Sequence, residues 1–222
     1  MGVSGLERAP LGSRLRRLHR EKGVAGFWYL ALWSAGYRRL LLLERRLDEA
    51  PPLPAAADAT LVRRLRCEDE DGFVALGQEG AVAFRERLER GHEGWGAWCD
   101  GELRHVQWLA TGEAWIEHLG CRVRLGEGVA YVYRAFTTPR WRGVGLTSAV
   151  HARGLAAMRE RGSTLALCGV APGNRSALSP WLRLGYRRIG FASTFGAGRR
   201  RLLRVRVATD AGASPRWRIE TA

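Results

Sequence analysis

Lysine is all but absent from this chain: Lys22 is the only one among 36 basic residues in 222. That excludes a Walker A phosphate loop, which must end in Gly-Lys-Ser/Thr. Cysteine is also scarce. Cys67, Cys99, Cys121 and Cys168 are scattered, with no Cys-x-x-Cys pair and no histidine at ligand spacing. Neither a zinc site nor a disulfide framework is supported, and four reduced, buried thiols are expected. Long apolar runs are missing too: the longest, Val24 to Tyr37, is too short and too interrupted to span a bilayer. Charged residues sit close behind Met1 without a cleavable signal pattern, so a cytoplasmic protein is expected. No repeat or low-complexity tract is present.

What the chain does have is arginine and tryptophan. The formal charge of +14 rests almost wholly on guanidinium groups, and nine tryptophans with 46% hydrophobic residues argue against disorder. Such a surface attracts polyanions, whether coenzyme A, anionic lipid or nucleic acid. Charge alone does not choose among them.

The densest pattern lies in residues 129–162. Val129 to Thr137 is rich in β-branched and aromatic residues and predicts a buried strand. Pro139 ends it, and Gly143 and Gly145 bracket a turn whose backbone can be approached closely. From Leu146 the apolar positions step through Val150, Gly154 and Met158 at helical spacing, with Gly162 as C-terminal cap. A strand that delivers a glycine turn to a helix N-terminus creates a nest of amides at a positive dipole end, suited to a phosphorylated ligand. A dinucleotide fingerprint would need a third glycine where Ser148 stands, so that reading fails.

Arg140-x-x-Gly143-x-Gly145, directly after a strand, resembles the acyl-CoA loop of the GNAT acyltransferase superfamily. Asn174-Arg-Ser-Ala177-Leu-Ser-Pro-Trp181-Leu-Arg-Leu-Gly185-Tyr186 resembles the second GNAT signature, and it follows a short apolar strand and a Pro172-Gly173 break. The resemblance covers roughly 60–207, with the strong motifs in 129–190. It implies an α/β (α+β) fold, a central mixed, mostly antiparallel twisted sheet flanked by helices. It also implies transfer of an acyl group, acetyl in the first instance, from a CoA thioester to a primary amine. No metal is called for.

Such transfer needs the pyrophosphate held, the thioester carbonyl polarised, the amine deprotonated and the thiolate protonated. The first task falls to the backbone of Arg142, Gly143, Val144, Gly145, Leu146 and Thr147, with Arg140 and Arg142 adding charge. The resemblance lays the pantetheine arm along Phe136, Thr137 and Thr138, and brings Asn174 and Trp181 to the cofactor. Asn174 also suits a helix N-cap. Trp181 occupies the position where many GNAT enzymes carry a tyrosine acid, so that role must move or be absent. Ser179 is a nearby hydroxyl, yet Ser179-Pro180 also reads as the cap of a restarted turn. The central strand, Tyr131-Val-Tyr133-Arg134, lacks the carboxylate base of several family members. Glu113, Glu117 and His118 are then the candidates, each equally readable as a surface group. Arg134 reads either as a carboxylate clamp or as an ion pair within the sheet.

The remaining chain divides at its composition breaks. Residues 1–50 read as a basic helical N-terminal extension, 51–59 as a linker, 60–208 as the acyltransferase domain and 209–222 as a loose tail. Two readings of 1–47 stay open: basic amphipathic helices on an anionic membrane face, or a helical extension packed on the domain or on a second subunit of a homodimer. The first would make the protein peripheral to a membrane and suit a longer acyl chain. Within the domain, Leu61 to Leu65 reads as a strand, Asp69 onward and Gly80 to Gly91 as helices, and Trp95 to Ala110 as a hairpin about Asp100-Gly101. Thr111 to Gly128 predicts an added strand pair, and Arg187 to Phe195 with Arg200 to Val207 a closing hairpin. The rival readings are a catalytically degenerate CoA-binding domain and a nucleic-acid-binding module; only net charge favours the last. The sequence does not identify the amine acceptor.

Overall fold

The computed structural model describes residues 36–48, 61–172, 174–196, 201–208 and 216–221. Its frame is an eight-stranded sheet in the order β10-β9-β1-β8-β7-β4-β3-β2. In chain order these strands are β1 (Arg38–Arg46), β2 (Leu61–Arg64), β3 (Glu93–Cys99), β4 (Glu102–Ala110), β7 (Val129–Thr137), β8 (Leu165–Val170), β9 (Arg187–Phe195) and β10 (Leu202–Val207). A second sheet, ordered β11-β6-β5, contains β5 (Glu113–Ile116), β6 (Cys121–Leu125) and β11 (Trp217–Thr221). The helices are α1 (Glu70–Ala75), α2 (Ala81–Glu89), α3 (Leu146–Glu160) and α4 (Arg175–Arg183). This is the mixed, mostly antiparallel sheet flanked by helices that the motifs predict. Among the described residues, no helix is long and apolar enough to cross a membrane.

One pairing in the large sheet is parallel, β7 with β8. A parallel pair needs a crossover, and α3 supplies it. The helix buries Leu146, Val150, Gly154 and Met158 as its spacing predicts. It ends in a Schellman cap, with Gly162 at φ 87° and the Ser163 amide donating to the Met158 carbonyl at 3.0 Å. The β3–β4 hairpin turns on Asp100 and Gly101, both left-handed at φ 53° and 76°, as an Asp-Gly type I′ turn requires.

Two expectations at the flanks are corrected. Residues 38–46, assigned above to a helical extension, form β1 in the interior of the sheet, antiparallel to β8 on one side and β9 on the other. Leu40 and Leu42 enter the core shared with the second sheet, whereas Leu43 and Leu47 enter the core beneath α3 and α4. An unbroken leucine run covered on both faces carries no polar alternation, so helix and buried strand read alike in it. The C-terminal residues 217–221 are not a loose tail but β11, with Trp217 and Ile219 buried and Arg218 exposed between them. Their period-2 alternation fits a strand lying over a core. Cys67 departs from the expectation as well: it is exposed, while Cys99, Cys121 and Cys168 are buried, and all four are free thiols. The basic segment 1–35, the linker 51–59 and the turn at 197–200 lie outside the described residues.

Candidate active site

Strand β7 runs through a short 3-10 turn, Pro139–Trp141, into the glycine turn and then α3. Gly143 and Gly145 adopt φ 85° and 88°, which is why glycine stands at both positions. Among the described residues, no acceptor meets the amides of Gly143, Val144, Gly145, Leu146, Thr147 or Ser148; the first α3 bond at this end runs from the Ala149 amide to the Gly145 carbonyl at 3.0 Å. Arg140 and Arg142 are exposed beside them, and neither has a carboxylate partner among the described residues. Arg142 Nε donates to the Thr137 carbonyl at 3.3 Å, which ties the end of β7 to the turn. The result is an exposed, positively polarised cradle.

Behind the cradle the sheet opens. β7 and β8 stay in register from Val129↔Leu165 to Val132↔Cys168 and no further. Beyond that point β7 carries a bulge, with Arg134 at φ 51° and a register shift opposite Val106 and Trp108 of β4. Phe136, Thr137 and Thr138 are half-buried along this unaccompanied stretch. The Thr138 amide is engaged on the β4 side by the Arg104 carbonyl at 2.9 Å. Thr137 Oγ1 reaches Thr147 Oγ1 at 3.4 Å and His105 Nδ1 at 2.6 Å.

Next to this opening lies a cavity of about 1010 Å³ between α2, the β5–β6 hairpin and β7. Glu113, Glu117 and Tyr133 all line it, so the structure brings two of the three sequence candidates together. Its carboxylates are already engaged. Glu79 holds Arg87 in a bidentate pair at 2.6–2.7 Å, Glu86 faces Arg90, Glu113 faces Arg122 and Glu117 is bonded by Arg134. The Arg134 bond holds the Glu117 carboxyl below the usual range despite its partial burial, which makes it a weaker base. Of the two readings of Arg134, an ion pair is observed, but its partners Glu117 and Glu79 lie outside the sheet, after β5 and before α2. His118 is elsewhere, with Nε2 at 2.9 Å from the Arg39 carbonyl.

Sequence reasoning missed three other histidines, His92, His105 and His151. His92, just before β3, sets Nδ1 at 2.5 Å from Tyr133 Oη and Nε2 at 3.1 Å from the Glu113 carbonyl. Burial, reinforced by Arg90 and Arg87, lowers its pKa; burial chiefly raises that of Tyr133. On the opposite face of the sheet, His151 of α3 meets Gln107 Oε1 at 3.2 Å and packs edge to face on Trp181, ring centres 5.0 Å apart. Burial pushes His105 and His151 each down to about 3, so both are neutral imidazoles. The available signal was local: Arg104-His105-Val106-Gln107 places polar side chains inside an otherwise apolar strand.

The second signature forms α4. Asn174 caps it, its Oδ1 accepting from the Ala177 amide at 3.1 Å. The helix continues through Pro180, so the restarted turn expected at Ser179 does not occur. Ser179 is exposed, its hydroxyl accepting from Arg183 at 2.8 Å, and it does not line the large cavity. Trp181 is buried between His151 and Tyr186.

No protein-family model matches the sequence, and no curated protein is similar to it. Solved structures share its fold. A GNAT-family protein of Novosphingobium aromaticivorans superposes with a TM-score of 0.52 at 20% identity, over 71% of this chain and 62% of its own. A GCN5-related N-acetyltransferase from Sphaerobacter thermophilus gives 0.52 at 15% identity, over 84% and 57%. A tandem GNAT protein from the clavulanic acid biosynthesis pathway, in a structure without AcCoA, gives 0.53 at 17%, over 79% and 59%. The chain thus spans about three fifths of the length of these proteins. With its glycine turn at the start of α3 and its sheet opening between β7 and β8, the chain has the GNAT fold.

Proposed function

We propose that the protein is an acyl-CoA-dependent N-acyltransferase that moves an acyl group, acetyl in the first instance, from a CoA thioester to a primary amine. The observation that carries this reading is the run of six amides, Gly143 to Ser148, without a partner among the described residues at the exposed N-terminus of α3. These amides suit a diphosphate, and Arg140 and Arg142, which face no carboxylate among the described residues, add positive charge. Phe136, Thr137 and Thr138 would receive the pantetheine arm along the strand edge that β8 leaves. The cavity beneath α2 would receive the amine. The fold shared with GNAT acyltransferases agrees with this assignment.

In the reaction the amine nitrogen attacks the thioester carbonyl, the C–S bond breaks with its electron pair on sulfur, the nitrogen gives up one proton to its surroundings, and the thiolate takes one from water. Isothermal titration with acetyl-CoA and with CoA tests the binding half. Release of free thiol across a panel of primary amines tests the chemistry. Saturable binding with amine-dependent thiol release is expected, and failure to bind either nucleotide overturns the reading. A second reading, a CoA-binding domain without turnover, is favoured by Trp181, which brings no titratable oxygen to its position. It predicts binding with no thiol release on any amine.

A further inference from the structure

On the acyltransferase reading above, the amine needs a base, and the cavity offers few. Each carboxylate that lines it, Glu79, Glu86, Glu113 and Glu117, already faces an arginine. Among the described residues, the one histidine on its wall is His92. Its tautomer follows from its partners. A carbonyl oxygen can only accept, so His92 Nε2 carries the hydrogen and donates to Glu113. Nδ1 then presents its lone pair, and the Tyr133 hydroxyl donates to it at 2.5 Å. The Tyr133 oxygen keeps its lone pairs for a donor arriving from the cavity that the residue lines. Tyr133 is also the first β7 residue beyond the last β8 partner, where the sheet opens. From there to Thr137, beside the cradle, is four residues, at most about 13 Å and less for the bulge at Arg134.

We infer that Tyr133 and His92 are the proton relay for the attacking amine: the amine's proton moves to Tyr133 Oη while the Tyr133 proton moves to His92 Nδ1. The imidazolium so formed stays hydrogen-bonded to the Glu113 carbonyl and later releases its proton to water. The amine nitrogen gains the acyl carbon, and the thiolate leaves as described, so charge and atoms balance. Burial with Arg90 and Arg87 keeps His92 neutral and so able to accept, at the cost of basicity, and burial disfavours a resting phenolate, so the two transfers must be coupled. The charged groups around the pair are Arg87 and Arg90 from α2 and its end, Glu79 before α2, Glu113 on β5 and Arg134 on β7.

The test uses Tyr133→Phe and His92→Asn in the full chain. Asn can still accept the Tyr133 hydroxyl but cannot take its proton, so it separates positioning from proton transfer. Both variants are expected to keep acetyl-CoA affinity by titration calorimetry while kcat falls about 10²- to 10⁴-fold. The double variant should fall no further than the worse single one. The ratio of wild-type to His92→Asn activity, measured on one amine, should shrink toward unity as pH falls through the His92 pKa. Comparing on one amine cancels the acceptor's own titration. Wild-type turnover with unchanged kcat in either variant, or a ratio that does not vary with pH, overturns the relay and leaves the acyltransferase reading intact. A wild-type protein that binds no acyl-CoA overturns the acyltransferase reading, and the relay with it.

Discussion

Glu93 of β3 is gripped by Arg161, the residue that follows α3, through both guanidinium nitrogens, with Arg64 of β2 at 3.6 Å. The carboxylate is only 3% exposed, and this pair ties the C-terminal end of the crossover helix to the sheet. Glu93→Gln leaves the guanidinium without its counter-charge and is expected to destabilise the fold by about 1–3 kcal/mol. Urea unfolding would measure it. Burial alone would raise the Glu93 pKa, but Arg161 and Arg64 outweigh it and the net shift is downward. The pair's contribution is therefore present above the unfolded carboxylate pKa and is lost as pH falls through the lower folded value. The gap between wild type and variant should close in acid.

His105 and His151 give the same pH sense through burial rather than through an ion pair. Each is buried and held neutral, with a folded pKa of about 3; for His151 the positive charge of Arg45 adds to burial. Unfolding lets them protonate from about pH 6.5 downward. Stability should fall steadily between about pH 6.5 and pH 3 on this account. His151→Gln keeps a polar group beside Gln107 and should flatten that decline. Urea midpoints across the range, wild type against variant, would check it.

At the cradle, Gly145→Trp tests the loop directly. A Cβ built on Gly145 meets nothing within 4 Å, so a side chain can start there without displacing the core, and a tryptophan is expected to cover the amides. The left-handed backbone makes any side chain cost about 1–2 kcal/mol there. Loss of acetyl-CoA binding in calorimetry is expected, with the far-ultraviolet spectrum and a cooperative melt retained.

In the sheet, Leu42→Ala should cost about 2–5 kcal/mol, because the side chain is 1% exposed at the centre of a core. Deleting residues 1–47 removes β1 altogether and should abolish cooperative unfolding. A membrane role for the basic segment is therefore tested by deleting 1–35, which spares β1. Retained flotation of that shorter chain with anionic liposomes would argue against such a role.

Much of the local structure was legible because neighbouring residues decide it. Strand β7, the glycine turn, α3 and its Gly162 cap follow from propensity, positive-φ chemistry and spacing of three or four. The Asp100-Gly101 hairpin and the Asn174 cap follow from turn and cap chemistry in the same way. The flanks were not legible. Leu40 to Leu43 form a strand only because β8 and β9 hydrogen-bond them on both sides, with partners more than a hundred residues away in the chain. Trp217 to Thr221 are ordered by β6, nearly as distant.

The sequence alone determined where a glycine turn leaves free amides at a helix start, since a strand, two glycines and a helix start are contiguous and need no distant partner. Only the tertiary structure decided which groups surround the cavity beneath α2. It paired each of the lining carboxylates with an arginine and brought His92 to Tyr133, 41 positions along the chain. The physical reason is that a dipole at a helix end is a property of one segment, whereas the basicity of a side chain depends on burial and on charges brought in by others.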